Sequence, residues 1–139
     1  MNDAQILTVV GLMSGTSLDG VDAALMRTDG ENTLQPVAFL SRSYEPGLRA
    51  DLRACFGKRE RDQNLIHAES VTTRFHAELI QALRAQHPDI TPDLIGFHGQ
   101  TIWHDTGAGR TCQIGDAALL GRVTWLDVIH DFRSGDMQA

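Results

Sequence analysis

Lysine is almost missing from this chain. Only Lys58 occurs in 139 residues, and since lysine plus arginine total 12, eleven arginines supply the other positive charges against 18 acidic side chains, for a formal net charge of −6. Binding along a nucleic-acid backbone needs a concentrated basic surface. The one basic run, Lys58-Arg59-Glu60-Arg61, is short and reads as a solvated loop, so nucleic acid is not an expected partner. Long hydrophobic runs are lacking too: no stretch of about 18 apolar residues exists, and no membrane span is expected. The first dozen residues carry Asp3 and no basic cluster, which argues against a secretory leader. The two cysteines, Cys55 and Cys112, lie far apart and make no disulfide framework; both read as buried free thiols of a cytoplasmic protein. No repeat, low-complexity tract or Pro/Gly/Ser linker divides residues 1–139, which are read as one folding unit. What is present, 42% hydrophobic and 22% charged residues, suits a globular domain. A chain of this length buries about two-thirds of its unfolded surface.

The patterning changes along the chain. Ile6 to Leu12 is an almost continuous apolar run, as in a central strand buried on both faces. A Gly/Ser-rich turn, Ser14 to Gly20, leads into Val21, Ala23 and Leu25, which alternate as in a second strand. Asp29-Gly30 marks a hairpin, and Leu34 to Arg42 reads as a third strand that Pro36 pushes to an edge. Beyond Pro46-Gly47 the period becomes helical, first with Leu48, Leu52 and Phe56 on one stripe. A longer helix, about Asn64 to Gln86, carries Leu65, Ala68, Thr72, Phe75, Leu79 and Leu83 at helical spacing and ends before Pro88 and Pro92. Its histidines, His67, His76 and His87, are expected to be exposed. A short strand at Leu94 to Phe97 is followed by a hairpin around Gly107-Ala108-Gly109, a short helix from Asp116 to Leu120 and a last strand from Trp125 to Ile129. Three strands in a meander followed by helices and further strands predict an α/β fold, a mixed sheet covered by helices.

Four segments carry chemistry. Gly11 to Asp22 (GLMSGTSLDGVD) joins two predicted strands. Glycines allow a ligand close to the backbone, consecutive N–H groups can converge on an anion, Thr16 and Ser17 add hydroxyls, and Asp19 and Asp22 are hard oxygen donors suited to Mg²⁺. The same composition also suits an ordinary hairpin turn. The P-loop pattern fails, because Leu52 stands where the glycine before Gly57-Lys58 should be, and the dinucleotide pattern fails at Cys112. In Gly96 to Thr101, His98 and Gln100 follow an apolar strand and could serve sugar hydroxyls, or His98 could be satisfied by backbone in a tight turn. His104-Asp105 and His130-Asp131 show no metal-ligand spacing that supports zinc. In Gln113-Ile114-Gly115-Asp116, the aspartate fits a helix N-cap, with a ligand contact as the alternative. Arg133, just past the last strand, could clamp a carboxylate or phosphate in bidentate fashion, or pair with Asp131 or Asp136.

In this order and spacing, Gly11–Asp22, Gly96–Thr101, Gln113–Leu120 and Asp127–Arg133 resemble the anhydro-N-acetylmuramic acid kinases, part of the superfamily of sugar kinases, Hsp70 and actin. The resemblance implies a ribonuclease-H-like mixed sheet, the N-terminal lobe of a two-lobed actin-like ATPase fold with ATP held between the lobes. It implies ATP-dependent phosphorylation of 1,6-anhydro-N-acetylmuramic acid at O6 with ring opening, giving N-acetylmuramic acid 6-phosphate in peptidoglycan recycling. On it, Gly15, Thr16, Ser17, Leu18, Asp19, Gly20, Val21 and Asp22 form the ATP-phosphate hairpin. His98, Gln100 and Arg133 lie on the amino-sugar side, and Asp19 and Asp22 are the Mg²⁺ candidates because Leu12 and Met13 occupy the first-strand position where many superfamily members have aspartate.

Family members are much longer, and their Asp-Cys/Thr-Gly-Pro-Gly-Asn segment with the general base does not occur here, so no catalytic residue is assigned within these 139 residues. The expectation is an N-terminal lobe without turnover of its own. The alternatives are a phosphate- or sugar-binding module, or half of a split kinase that needs a C-terminal partner. Self-association is the further expectation for a lobe left uncovered.

Overall fold

The computed structural model describes residues 5–105 and 107–130. Its centre is β1 (Leu7–Ser14), which pairs antiparallel with β2 (Gly20–Thr28) on one side and parallel with β4 (Leu94–Phe97) on the other. β3 (Leu34–Ser43) continues the meander at one edge and β7 (Asp127–His130) forms the other, giving the order β3-β2-β1-β4-β7. This is the mixed sheet expected, with Pro36 on an edge strand, where a missing N–H costs no ladder bond.

Side-chain alternation explains which face is covered. Val10, Leu12, Val21, Ala23, Leu25, Ile95 and Phe97 are buried beneath α1 (Pro46–Ala54) and α2 (Gln63–Gln86). The other face is lightly covered. One row across it, set by the strand register, reads Phe39, Ala24, Gly11, Gly96 and Ile129, with exposed side chains at its ends and almost none in the middle.

α2 begins at Asp62, whose carboxylate accepts from Leu65 N–H as an N-cap. It buries more than the predicted stripe: Thr73, His76, Ala77 and Ile80 are buried as well, because α2 is packed by α3 (Ala117–Thr124) in addition to the sheet. The expected exposure of His76 is thereby overturned, since the ring is 1% exposed and stands edge-on to Phe97 at 5.3 Å. Phe56 also departs from expectation; α1 stops at Ala54, and the phenylalanine beyond it is exposed.

The predicted hairpin forms as a separate two-stranded sheet, β5 (Gln100–Asp105) and β6 (Arg110–Ile114). α3 opens on Asp116, whose carboxylate accepts from Leu119 N–H, and runs past Leu120 to Thr124. Trp125, expected in a strand, caps α3 in the left-handed region (φ 61°) and is 90% exposed. Cys55 is buried and Cys112 half-buried; both are free thiols, and burial pushes each up from its ordinary value. Among the described residues no helix is long and apolar enough to cross a membrane.

Candidate functional site

Parallel pairing of β1 with β4 sets the C-terminal ends of both strands side by side, so the two most polar sequence segments meet. Ser14 Oγ donates to Gly99 C=O at 3.1 Å across this junction. The β1–β2 connection shrinks to Gly15–Asp19, because β1 extends to Ser14 and β2 starts at Gly20. Gly20 is required there: a Cβ would strike the Arg42 carbonyl oxygen and lie 2.7 Å from Ser43 Cα.

Within the turn, Leu18 N–H donates to Gly15 C=O at 3.3 Å, and Leu18 holds φ 58° with its side chain fully buried. Leu18 thus anchors the turn to the core, as Val21 anchors the start of β2. Gly15, Thr16, Ser17, Asp19 and Asp22 are exposed. Among the described residues, no hydrogen bond engages the N–H groups of Thr16 or Ser17. Ser17 Oγ donates to Asp19 Oδ2 at 3.0 Å, and Ser41 Oγ donates to Asp22 Oδ1 at 2.6 Å. Beside the turn is a concavity of about 400 Å³ whose walls include Gly15, Ser17, Asp19, Asp22, Ser41 and Arg42. It brings together donors for an anion and two carboxylates, each with one oxygen already hydrogen-bonded.

Gly15 differs from Gly20 in the space around it: neither has a positive φ, but a Cβ on Gly15 would meet nothing closer than Ser17 Oγ at 3.7 Å. The chain fold does not require glycine at this position, yet a side chain would project into the concavity wall.

The second segment sits against the first. His98 is half-buried, with Nδ1 3.1 Å from Gly99 C=O. Gly99 adopts φ 80°, and a Cβ would come within 2.7 Å of Ile114 C=O, so the turn from β4 into β5 needs glycine twice over. Gln100 is completely buried, with its amide donating to Gly15 C=O at 3.0 Å. It therefore forms part of the wall beneath the turn, with no atom at the surface of the concavity. Arg133 and Asp131 lie outside the described residues. Among the described residues no group of three or more His, Cys, Asp or Glu side chains assembles at metal-binding distance.

Two supports were not read from the sequence. Arg49 of α1 donates through Nε to Leu18 C=O at 2.9 Å and through Nη2 to Tyr44 C=O at 3.2 Å. Tyr44 N–H donates to Asp19 C=O at 3.0 Å. A lone tyrosine at the end of β3 was the available signal, but nothing in the sequence gives its pairing with residues 25 or more positions away.

The meander, the parallel β4 and β7 and the turn at the end of β1 define a lobe of the sugar-kinase and actin-like class, a ribonuclease-H-like α/β sheet. Residues 7–139 match the sequence profile of the family described as anhydro-N-acetylmuramic acid kinase, and the chain belongs to that family. It is 46% identical over 134 residues to the anhydro-N-acetylmuramic acid kinase of Acidiphilium cryptum, covering 94% of this chain and 36% of that one. The kinases so named from Agrobacterium fabrum (41% identity, 96% and 38% covered) and Gluconobacter oxydans (43%, 93% and 37%) are similar. The chain thus spans a little over a third of the length of these curated relatives. A solved Ciona intestinalis Endonuclease V, in complex with DNA, overlaps 91% of this chain and 45% of its own at 14% identity and a TM-score of 0.48, too loose a likeness to add to this.

Proposed function

We propose that this chain is the phosphate-binding lobe of a kinase that transfers a phosphoryl group from ATP to O6 of 1,6-anhydro-N-acetylmuramic acid, as water opens the anhydro ring, in cytoplasmic peptidoglycan recycling. The observation that carries the reading is Gly15: it borders the concavity, and its own backbone would tolerate a side chain. A glycine that folding does not need is explained by a ligand that approaches the main chain there.

In this reading the N–H groups of Thr16 and Ser17, with the Thr16 and Ser17 hydroxyls, receive the phosphate oxygens of ATP. Leu18, Gly20 and Val21 shape the turn from within. Asp19 and Asp22 each retain one carboxylate oxygen for Mg²⁺, hard donors that suit an ion keeping most of its water. When bound, the ion supplies charge neutralisation between phosphates. His98 is assigned to the sugar side and Arg133 to the lactyl carboxylate, for which a guanidinium offers two parallel donors. Gln100 serves that side through the backbone it holds.

Phosphoryl transfer requires acceptor, base and metal to be positioned together. No base is assigned within these residues, so the chain is expected to bind ATP without turning it over, and to need the remainder of the family sequence, on the same chain or in trans, for reaction. Calorimetry with ATP and Mg²⁺ tests the site. Wild type is expected to bind, and Gly15→Val to lose affinity by more than tenfold while keeping its melting temperature. Equal binding by the two proteins would remove the turn from the site.

A further inference from the structure

Beneath the turn, the core is polar where apolar packing would suffice. Gln100, Tyr44, Thr72 and His76 are all buried, yet they form one connected chain of hydrogen bonds. Gln100 Nε2 donates to Gly15 C=O at 3.0 Å and to Thr101 C=O at 3.2 Å. Both acceptors are carbonyls, so the amide nitrogen must face them and Oε1 must face the other way. On that side Tyr44 Oη–H donates to Oε1 at 3.3 Å. With its one proton committed, Tyr44 Oη accepts from Thr72 Oγ1, 3.0 Å away. Thr72 C=O accepts in turn from His76 Nδ1–H at 2.6 Å. The direction of every bond is therefore fixed, and the series ends on the carbonyl of Gly15.

Tyr44 touches the turn by a second route, since its backbone N–H donates to Asp19 C=O. One residue thus holds both ends of the five-residue connection, Asp19 directly and Gly15 through the Gln100 amide. A leucine at position 100 would take the acceptor from the Tyr44 hydroxyl and this donor from the Gly15 and Thr101 carbonyls. What the amide adds is a defined pull on the Gly15 carbonyl.

We infer that Tyr44 is the positioning residue of the Gly15–Asp19 turn: its hydroxyl orients Gln100, which holds Gly15, and so sets the spacing of the N–H and hydroxyl groups that face a phosphate. The ligand half of this inference rests on the proposed phosphate site; the half concerning turn geometry does not.

Tyr44→Phe isolates the hydroxyl, because the ring keeps its place 5.0 Å from Phe75 and the backbone bond to Asp19 remains. Two measurements on the 139-residue protein decide the matter. Amide hydrogen exchange reports the turn without any ligand. The Leu18 N–H, bonded to Gly15 C=O, is expected to exchange about three- to tenfold faster in Tyr44→Phe, the equivalent of one net hydrogen bond. The Leu120 N–H in α3 is expected to stay as it was. Gln100→Leu should act on the same amide, and the double variant should add little to either single one. An unchanged Leu18 rate in both single variants overturns the inference.

Calorimetry with ATP and Mg²⁺ gives the second reading, with affinity expected to fall by a similar factor in Tyr44→Phe. Thr124→Val, which removes a buried hydroxyl bonded to Leu120 C=O in the last turn of α3, is the control and should bind as wild type does. Equal losses in Tyr44→Phe and the control mark general destabilisation and overturn the positioning role. A wild-type chain that fails to bind ATP removes the phosphate-site reading, and the exchange rates then decide the role of Tyr44 alone.

Discussion

At the scale of single residues, His76 shows how a helix position is decided by what packs on it. Nδ1–H donates to Thr72 C=O, which leaves Nε2 buried without a hydrogen-bond partner among the described residues. Burial pushes the ring down from 6.5 to about 4, with the bond to Thr72 opposing the shift. The unfolded chain therefore takes up this proton at higher pH than the folded one. Stability from this group is complete above about pH 6.5, declines as pH falls towards about 4, and levels off below that. At pH 5.5 the loss should be about 1 kcal/mol relative to pH 7.5. Urea unfolding at the two pH values checks this, with His76→Leu expected to flatten most of the difference. An equal decline in the variant would assign the acid sensitivity to other groups.

At the scale of elements, the start of α3 is fastened to α2 by a pair of side chains. Glu69 accepts from Gly115 N–H at 3.0 Å while also bridging Arg61, and Thr73 Oγ1 accepts from Asp116 N–H at 3.0 Å. Asp116 then caps α3. Its role is structural on this geometry, so Asp116→Ala should cost about 1 kcal/mol. Thermal melts should register a loss of a few degrees, Asp116→Asn should recover most of it, and ATP affinity should be untouched. A fall in affinity out of proportion to stability would move Asp116 into the binding site.

This element, like β1, β2, β3 and α2, was legible because its signals are local: an N-cap before an apolar run, alternation, a proline at an edge. The turn was legible through its glycines and hydroxyls. The partnerships were not. Tyr44 with Gln100 and Arg49 with Leu18 join residues 56 and 31 positions apart, and no local period encodes such distances. Trp125 was misread because its apolar character fits a strand, while the left-handed cap it adopts is rarely taken by a side chain of that size.

At the scale of the molecule, the sheet presents one face with little cover. Phe39, 63% exposed, and Leu34 flank an apolar hollow on the β3 edge, and Met13 and Ile129 are exposed elsewhere. An edge strand with exposed apolar side chains is a template for further pairing. The 15.3 kDa chain is expected to self-associate with rising concentration, as read by sedimentation equilibrium, and Phe39→Lys should shift it towards monomer. A single monomeric species at every concentration would show that this face is content with water.

The bonds from Ser14 to Gly99 and from Gly15 to Gln100 each span 85 positions. Contacts so distant along the chain form after local hairpins, because the intervening loop must first be closed. During synthesis, the β1–β2–β3 meander can assemble early with the Tyr44 and Arg49 bonds to its turn, but the bonds at Ser14 and Gly15 wait until β4 and the head of β5 have emerged and docked. The last supports of the turn therefore arrive late in maturation, and a ribosome-bound intermediate halted before residue 100 would own the loop without its full shape.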